Sequence, residues 1–320
     1  KERRNVVPTG ARQNALTRLL KDLFGHPEFR EGQLGAILRA LAGHDTVVML
    51  PTGAGKSLIF QLAGLLRPGL TIAVDPLVSL INDQTRGLRD QGISRVAHLT
   101  ASSLSGENGR ALLHGIGRGD FCFAFLTPER LQTRKFRDQL VGVASHGLVN
   151  LAIVDEAHCV SEWGHDFRTS YLYVARNLRL HCCGVDDEPP PLLALTATAS
   201  PSVRRDMFRE LELDETDPET IQTPSSHERP ELHYAIQCGT PQDRRPRLSR
   251  TVFEHVPDDL GEPPADVVQP REDKTTSGIV FVPHVNGRFG IVDISGFLEQ
   301  QAGRLNLETV VGMYGGAPRG

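Results

Sequence analysis

The sequence predicts an α/β protein built on a doubly wound parallel sheet. Short apolar runs recur along residues 46–195, and helix-like stretches follow them. The runs are apolar on both faces, which is typical of parallel strands covered by helices on two sides. Alternation of strand and helix in this way is the pattern of a doubly wound sheet. The predicted strands are Thr46 to Leu50, Thr71 to Val74, Arg95 to Leu99, Phe121 to Leu126, Leu151 to Val154 and Leu192 to Leu195.

Composition limits the class of protein. The chain has 320 residues, 39% of them hydrophobic and 23% charged with mixed sign, which excludes a largely disordered chain. No apolar run approaches the roughly 18 residues of a membrane span, and no export signal is visible. The five cysteines form an odd set without the spacing of a disulfide scaffold. We therefore expect a cytoplasmic protein with reduced thiols and no membrane partner.

Net charge argues against binding nucleic acid by bulk charge. The formal net charge is −4, and neither half of the chain is strongly basic. If the protein binds DNA or RNA, we expect it to do so through a local groove.

Two helices are predicted before the first strand. They are interrupted at Gly25-His26-Pro27, because glycine and proline break helices. The leucines and isoleucines that recur at helical spacing are Leu16, Leu19, Leu20 and Leu23, then Leu34, Ile37, Leu38 and Leu41.

The last third of the chain predicts a second unit. Glu210 to Glu219 holds six acids in ten residues, which indicates a surface hinge or simply a solvated loop. Strand-like runs follow at Leu232 to Ile236 and Gly278 to Val282. The predicted domains are therefore residues 1–222 and 223–320, the second being the start of another α/β unit.

A glycine-rich turn follows the first predicted strand. Residues 50–57 read Leu-Pro-Thr-Gly-Ala-Gly-Lys-Ser, and they fit the phosphate-loop pattern except that Leu50 stands in place of its first glycine. In such a loop, backbone N–H groups cradle phosphates, Lys56 neutralises phosphate oxygens and Ser57 ligates Mg²⁺. The candidate nucleotide-binding residues here are Thr52, Gly53, Ala54, Gly55, Lys56 and Ser57.

Two adjacent carboxylates follow the predicted strand Leu151 to Val154. In the tetrad Asp155-Glu156-Ala157-His158, Asp155 would reach Mg²⁺ through water while Glu156 orients and deprotonates the attacking water. Adjacent acids are also common on protein surfaces, so the tetrad gains weight from the phosphate loop upstream. The predicted catalytic residues are Glu156, Lys56 and Asp155, and the predicted metal ligands are Ser57 and Asp155.

These motifs, in this order, resemble the RecQ family of ATP-dependent DNA helicases in superfamily two. The resemblance implies one complete RecA-like lobe and the start of a second. Residues 24–33 are similar to the family's first motif, which implies that Phe24, Arg30 and Gln33 lie at the adenine. Residues 195–199, Leu-Thr-Ala-Thr-Ala, resemble a motif that couples hydrolysis to domain movement. In this motif Thr196 and Thr198 would act with His158.

The resemblance also implies a set of DNA contacts. Residues 75–84 and 127–130 are similar to motifs that touch the nucleic-acid backbone, and residues 159–168 to the family's aromatic-rich loop. In that loop Trp163 and Phe167 offer faces on which bases stack. The implied DNA-binding residues are Ser79, Gln84, Thr127, Arg130, Trp163, Phe167 and Arg168.

The resemblance implies an ATP- and Mg²⁺-dependent helicase moving 3′ to 5′ on single-stranded DNA and unwinding duplex junctions. Two alternatives stay open: an ATP-gated nucleic-acid-binding module without unwinding, and an RNA-directed helicase of the same superfamily. The family's later Gln-x-x-Gly-Arg motif, whose arginine reaches the γ-phosphate, is not found before Gly320. Such an arginine contributes about 10³ to 10⁵ in rate, so we expect this chain to bind ATP and hydrolyse it slowly.

Overall fold

The computed structural model divides into two compact units, Lys1–Arg229 and Pro230–Gly320. The division falls seven residues beyond the predicted boundary at residue 222. The structure describes residues 10–100, 103, 106–144, 149–163, 167–184, 187–197, 199–226, 234–268, 278–307 and 311.

Unit 1 contains one parallel sheet, as the apolar runs predict. Its strand order is β3-β4-β2-β5-β6-β1-β7, and every pairing is parallel. All of the strands predicted between residues 46 and 195 are present, which confirms the α/β class. The strands are β1 (Thr46–Met49), β2 (Leu70–Val74), β3 (Val96–Leu99), β4 (Phe123–Leu126), β5 (Val149–Val154), β6 (Leu192–Thr196) and β7 (Ile221–Gln222).

Helices connect these strands in sequence. Single-turn 3₁₀ helices lie at Ala157–Val160, Thr169–Tyr173 and Pro218–Thr220. The α-helices of the described part of unit 1 are α1 (Gly10–Phe24), α2 (Gln33–Ala42), α3 (Lys56–Leu66), α4 (Val78–Asp90), α5 (Gly106–Gly117), α6 (Pro128–Leu131), α7 (Arg134–Ala144), α8 (Val174–His181) and α9 (Pro201–Glu210).

The sheet separates two apolar cores because successive strand residues point to opposite faces. Val47 lies in one core and Val48 in the other. The core of Val48 receives side chains from α2, α3 and α4. The core of Val47 receives them from α5 to α9.

The segment predicted as a hinge packs on unit 1. The carboxylates of Asp217 and Glu219 lie 2.7 and 3.3 Å from the guanidinium of Arg39 on α2. The short strand β7 then pairs with β1. Two acids of this segment are thus paired with Arg39, whereas the sequence indicated a surface hinge or a solvated loop.

Polar residues meet at the carboxyl ends of the central strands. The N–H of Leu50, after β1, donates to the carbonyl of Thr196 at the end of β6. The N–H of Asp155, after β5, donates to the carbonyl of Val74 at the end of β2. This edge of a doubly wound sheet is where ligands bind.

Unit 2 differs from its prediction. Its described elements are a 3₁₀ turn (Pro241–Asp243), a π-helical turn (Thr251–His255) and the helices α10 (Arg244–Arg250), α11 (Val256–Leu260), α12 (Pro264–Val268) and α13 (Ile291–Arg304). A small core forms around Phe253, Ile294 and Leu298.

The strands predicted in unit 2 are wrong wherever those residues are described. Residues 234–236 and 278–282 have no regular structure, and Phe281 is 91% exposed; residues 232 and 233 lie outside the described residues. A strand needs a neighbour for its backbone hydrogen bonds, and the described part of unit 2 offers these runs none. The start of a second RecA-like lobe stays a prediction.

Among the described residues, none of the helices is both long enough and apolar enough to span a bilayer.

Candidate active site

The phosphate loop turns sharply between β1 and α3. Gly53 and Gly55 adopt left-handed φ angles of 81° and 78°, which favour glycine. A Cβ at Gly55 would lie 2.7 Å from the side-chain Nε2 of Gln33, so a side chain there would displace the Gln33 amide. Helix α3 begins at Lys56, and the N–H groups of its first turn are without partners within the helix. This end of α3 therefore suits an anion such as phosphate.

The side chain of Lys56 reaches back across the phosphate loop. Its Nζ donates to the carbonyl oxygen of Leu50 at 3.1 Å, six residues back. Its charge also lowers the pKa of Asp155, although burial of that carboxyl has the larger, opposite effect. The structure thus brings the predicted cation and the predicted metal ligand into electrostatic range.

Gln33 braces the phosphate loop. It is only 3% exposed, and its Oε1 accepts from the N–H of Arg30 at 2.9 Å. Its Nε2 donates to the carbonyls of Ala54 at 2.8 Å and Gly55 at 3.3 Å, while the Arg30 guanidinium donates to the carbonyl of Gly53. The first motif therefore fixes the loop's shape. Its contact with adenine stays a prediction.

The remaining nucleotide candidates differ in exposure. Thr52 is exposed in the loop, and Phe24 is partly buried against the core that α2 and α3 share. The structure leaves Thr52 accessible to a ligand and gives Phe24 a packing role.

The hydroxyl of Ser57 accepts a hydrogen bond from Gln84, a residue that the sequence analysis assigned to DNA binding. Gln84 of α4 donates from Nε2 to the Ser57 hydroxyl at 2.7 Å, and its Oε1 accepts from Gln61 Nε2 at 3.0 Å. Gln84 was predicted to contact DNA, and its amide is instead directed at α3. The motif's spacing does not say which way a helical side chain faces, and the DNA contact of Gln84 stays a prediction.

Two buried carboxyl groups lie side by side at the ends of β2 and β5. Burial raises the pKa of Asp155 to about 6 and that of Asp75 to about 7. Repulsion from Glu156 contributes to both of these raised pKa values, and Arg168 lowers that of Asp75. Backbone N–H groups of Glu156 and Leu77 donate to them at 2.9 and 2.8 Å. Such a concentration of acid in a buried edge favours binding of a cation.

Glu156 adopts a strained backbone conformation. Its φ and ψ are both 46°, in the left-handed region that residues with a Cβ rarely occupy. Its Oε2 lies 3.3 Å from His158 Nδ1, which in turn lies 3.1 Å from the Thr196 hydroxyl. The structure thus brings Glu156, His158 and Thr196 together across β5 and β6. Thr198 lies outside the described residues.

The aromatic loop, residues 159–168, follows this cluster directly in the chain. The side chain of Trp163 is exposed, with 78% of the residue accessible, and its backbone N–H donates to Ser161 Oγ at 3.2 Å. Ser161 is buried and donates to Asp206 of α9 at 2.6 Å, which fixes the start of the loop. Phe167 is half-buried, and residues 164–166 lie outside the described residues. An indole with that exposure is available for stacking.

Arg168 is turned toward the sheet. Its guanidinium donates to the carbonyl of Pro76 at 2.8 Å and lowers the pKa of Asp75. Tyr171, fully buried three residues on, donates its hydroxyl to the carbonyl of Asp155 at 2.9 Å. The loop that carries Trp163 is therefore bonded to the segments after both β2 and β5.

The other predicted DNA contacts, Ser79, Thr127 and Arg130, follow β2 and β4 at the same edge of the sheet. Ser79 is exposed on the first turn of α4. Thr127 precedes α6, and its carbonyl accepts from the N–H of Arg130 at 3.0 Å. Their contact with DNA stays a prediction.

Sequence reasoning missed several residues of the site. Gln61, Ser161, Tyr171 and Asp206 support the aromatic loop and the predicted metal ligands. Glu31 accepts both the N–H and the hydroxyl of Ser225 at 2.9 and 3.1 Å. Each of these bonds except the one from Tyr171 joins residues at least 23 positions apart. Local patterns carry no signal for such pairs.

The donor set fits Mg²⁺ held on a nucleotide. No group of three or more His, Cys, Asp or Glu side chains is arranged to hold a metal among the described residues. Mg²⁺ at nucleotide sites commonly uses one or two protein oxygens together with phosphates and water. The hydroxyl of Ser57 and the carboxylate of Asp155 are oxygen ligands of that kind.

Curated proteins similar to this chain have helicase names. The probable ATP-dependent DNA helicase RecS of Bacillus subtilis is 36% identical over 239 residues, which cover 74% of this chain and 44% of that protein. The ATP-dependent DNA helicase RecQ of the same organism is 37% identical over 227 residues, 71% of this chain and 36% of the relative. The RecQ-like DNA helicase blm-1 of Caenorhabditis elegans is 39% identical over 189 residues, 58% and 19% respectively. The matched regions are less than half of each relative.

A family match covers the site just described. Residues 30–206 match the family described as DEAD/DEAH box helicase, which is more than half of the chain. The matched stretch holds the phosphate loop, the Asp155-Glu156-Ala157-His158 tetrad and the aromatic loop. With the parallel sheet and the strand-end acids in place, the chain belongs to the DEAD/DEAH box helicase family.

Proposed function

We propose that the chain is the ATP-hydrolysing part of a RecQ-type DNA helicase, which moves 3′ to 5′ on single-stranded DNA and opens duplex junctions. The polarity and the choice of DNA rest on the resemblance to RecQ helicases and on the names of the similar proteins.

One observation supports the proposal above all others. At one edge of the sheet, Leu50 at the start of the phosphate loop donates to the carbonyl of Thr196, whose hydroxyl contacts His158 beside Glu156. Arg168 and Tyr171, which follow the exposed Trp163, bond the carbonyls of Pro76 and Asp155 at the same edge. A nucleotide site and a stacking surface that share hydrogen-bonded supports suit a protein in which nucleic acid affects ATP hydrolysis.

The nucleotide would be held mainly by the phosphate loop. The N–H groups at the start of α3 would donate hydrogen bonds to phosphate oxygens. Lys56 would leave the carbonyl of Leu50 and bind the β- and γ-phosphate oxygens instead. Gln33 and Arg30 keep the loop open in this shape by bonding its carbonyls. Mg²⁺, held by Ser57 and by Asp155 through water, would neutralise charge on the transferred phosphoryl group.

Glu156 is the residue placed to activate water. Its carboxylate lies at the end of β5 beside Asp155, and its contact with His158 Nδ1 orients it. As a general base it would take a proton from the attacking water while the bond from the water oxygen to the γ-phosphorus forms. The bond from that phosphorus to the β–γ bridging oxygen breaks, so that ADP leaves. The His158–Thr196 contact connects this carboxylate to β6, so a shift of the β6 end would move the base.

DNA would be recognised at Trp163 and Phe167 by stacking, with Ser79, Thr127 and Arg130 along the backbone. Base stacking on an aromatic side chain contributes about 1–3 kcal/mol per base and tolerates any sequence. Stacking by itself does not separate DNA from RNA, so the choice has to be measured.

The deciding experiment compares ATP hydrolysis with DNA and RNA strands of one sequence. We expect stimulation by single-stranded DNA and little by RNA; a preference for RNA would favour the RNA-directed alternative.

Strand displacement tests the remaining alternative and the polarity. Partial duplexes with a 3′ or a 5′ tail should be opened only from the 3′ tail. ATP-dependent binding of both substrates without displacement would instead support a binding module that does not unwind.

A further inference from the structure

The bond between Gln84 and Ser57 assigns a role to a residue that the sequence placed at the DNA. Gln84 lies on α4, whose buried stripe includes Ile81, Thr85 and Leu88. Because helical residues advance by about 100° each, Gln84 falls on that stripe while the exposed Ser79 lies about 140° away. Gln84 therefore faces α3, and Ser79 faces solvent.

The amide of Gln84 is oriented at both ends. Ser57 and Gln61 are four residues apart on α3, so they lie on one face of that helix. Gln61 donates to the carbonyl end of the Gln84 amide at 3.0 Å, which directs its NH₂ at the Ser57 hydroxyl, 2.7 Å away. Gln61 is only 8% exposed, so water competes little for these bonds.

Helix α4 also has a connection to the aromatic loop. The carbonyl of Pro76, two residues before α4 begins, accepts a hydrogen bond from Arg168, which lies five residues after Trp163. The same helix thus bonds the loop that carries the exposed indole at one point and the predicted Mg²⁺ ligand at another. Gln84 therefore lies on the helix that bonds both sites.

We propose that Gln84 is a positioning residue for Mg²⁺: its NH₂ holds the Ser57 hydroxyl so that a lone pair of the oxygen is presented to the metal beside the phosphate loop. The proposal rests on the proposed function, because it requires that Ser57 ligates Mg²⁺ with a bound nucleotide. It replaces the predicted DNA contact at Gln84. Partners that orient a metal ligand commonly affect metal affinity by about 10- to 100-fold.

The test measures Mg²⁺ rather than turnover. A fluorescent, non-hydrolysable ATP analogue is bound to the 320-residue chain while Mg²⁺ is titrated, and affinity for a single-stranded DNA oligonucleotide is measured without nucleotide. In Gln84→Met, which keeps the side-chain length and removes the amide, the half-saturating Mg²⁺ concentration should rise about tenfold. Analogue binding in EDTA and DNA affinity should both stay unchanged.

Two further variants make the result specific. Gln61→Met removes only the bond that orients Gln84, so it should raise the Mg²⁺ midpoint by a smaller factor. Asn82→Ala alters an exposed neighbour on the same helix and should leave the midpoint where it is in the wild type. If Gln84→Met does not fold, as judged by its thermal unfolding curve, Gln61→Met carries the test.

The outcomes separate the two levels of the argument. A wild-type chain that binds no analogue in the presence of Mg²⁺ would overturn the proposed function, and the assignment of Gln84 with it. If the wild type binds and Gln84→Met keeps its Mg²⁺ midpoint, only the assignment fails. A loss of DNA affinity with an unchanged midpoint would show that Gln84 is a DNA contact after all.

Discussion

The two edges of the sheet in unit 1 differ in how their charged side chains are paired. At the amino ends of the strands, Arg39 donates to Thr46, to the carbonyl of Asp45 and to two carboxylates. Arg67 there donates to three backbone carbonyls, and Arg179 pairs with Asp45 at 3.0 Å. Each buried or half-buried cation at this edge has several acceptors.

At the carboxyl ends, acids accumulate instead. Asp75 and Asp155 have raised pKa values because they are buried and near Glu156, whose own backbone is strained. Lys56 and Arg168 compensate only part of this charge. Polar groups that are satisfied internally stabilise the fold, whereas strain and uncompensated charge are retained where a ligand completes the site. Substitutions at the two edges should therefore have opposite effects on stability and on function.

The largest effect is expected at Glu156. Glu156→Gln keeps the shape and the left-handed backbone but loses the base, so hydrolysis of bound ATP should fall about 10³-fold, roughly 4 kcal/mol of barrier. Single-turnover hydrolysis with single-stranded DNA measures the fall, and equilibrium binding should show unchanged nucleotide affinity. Unchanged hydrolysis would contradict the role of Glu156 and, with it, the functional reading of this edge.

The opposite edge should respond in stability. Arg39→Ala removes a buried cation and leaves Asp217 and Thr46 without their partner, so the free energy of unfolding should fall by about 3 kcal/mol. Urea unfolding measures this loss, and ATP-analogue affinity at low temperature should stay the same. Arg86→Ala is the matched control, because its side chain is 72% exposed beside Asp83 and such pairs contribute about 0–1 kcal/mol. Equal losses in both variants would remove the distinction between buried and surface arginines.

A smaller effect is expected at Trp163. Trp163→Ala should weaken binding of single-stranded DNA about tenfold, since stacking contributes about 1–3 kcal/mol per base. The thermal midpoint should hardly change because the residue is 78% exposed. Leu180→Ala, an exposed apolar residue on α8, should change neither quantity. Trp163 is the single tryptophan, so its fluorescence should also respond to DNA in the wild type; a silent signal under saturating DNA would argue against stacking.

The smallest effect concerns pH. The pKa of Asp75 is about 7 in the folded chain and near 3.8 when unfolded, so the folded state binds the extra proton between these values. Stability contributed by this group is therefore present at low pH and is lost as pH rises toward 7. Asp75→Asn keeps an oxygen for the N–H of Leu77 and cannot ionise, so it should gain stability relative to the wild type as pH rises from 5 to 8. Urea unfolding in metal-free buffer at both pH values measures the difference; a constant gap would contradict the raised pKa.

Much of unit 1 could be predicted because its signals are local. An apolar run of four to six residues followed by a helical pattern identifies a parallel strand wherever neighbours exist to pair with it. The same signal failed at residues 278–282, where no neighbouring strand is present among the described residues. The pattern specifies which residues can be buried and not what they pair with.

The site was predicted to the same depth. A phosphate loop and a strand-end acid pair can be recognised from adjacent residues, so the sequence identified Lys56, Ser57, Asp155 and Glu156. The structure brings these four residues to the carboxyl ends of the strands. The orientations of Gln84 and Arg168 were not predicted, because each depends on a partner 27 or 92 residues away.

By itself, the sequence determined the strands of the sheet from β1 to β6, the phosphate loop and the acids that follow β5. Only the tertiary structure decided that β2 lies beside β5, so that Asp75 joins Asp155, and that α4 packs on α3, so that Gln84 bonds Ser57. The physical reason is the same in both cases. Strand and helix preferences arise within a few residues, whereas strand order and helix packing are set by burying apolar surface between segments distant in the chain.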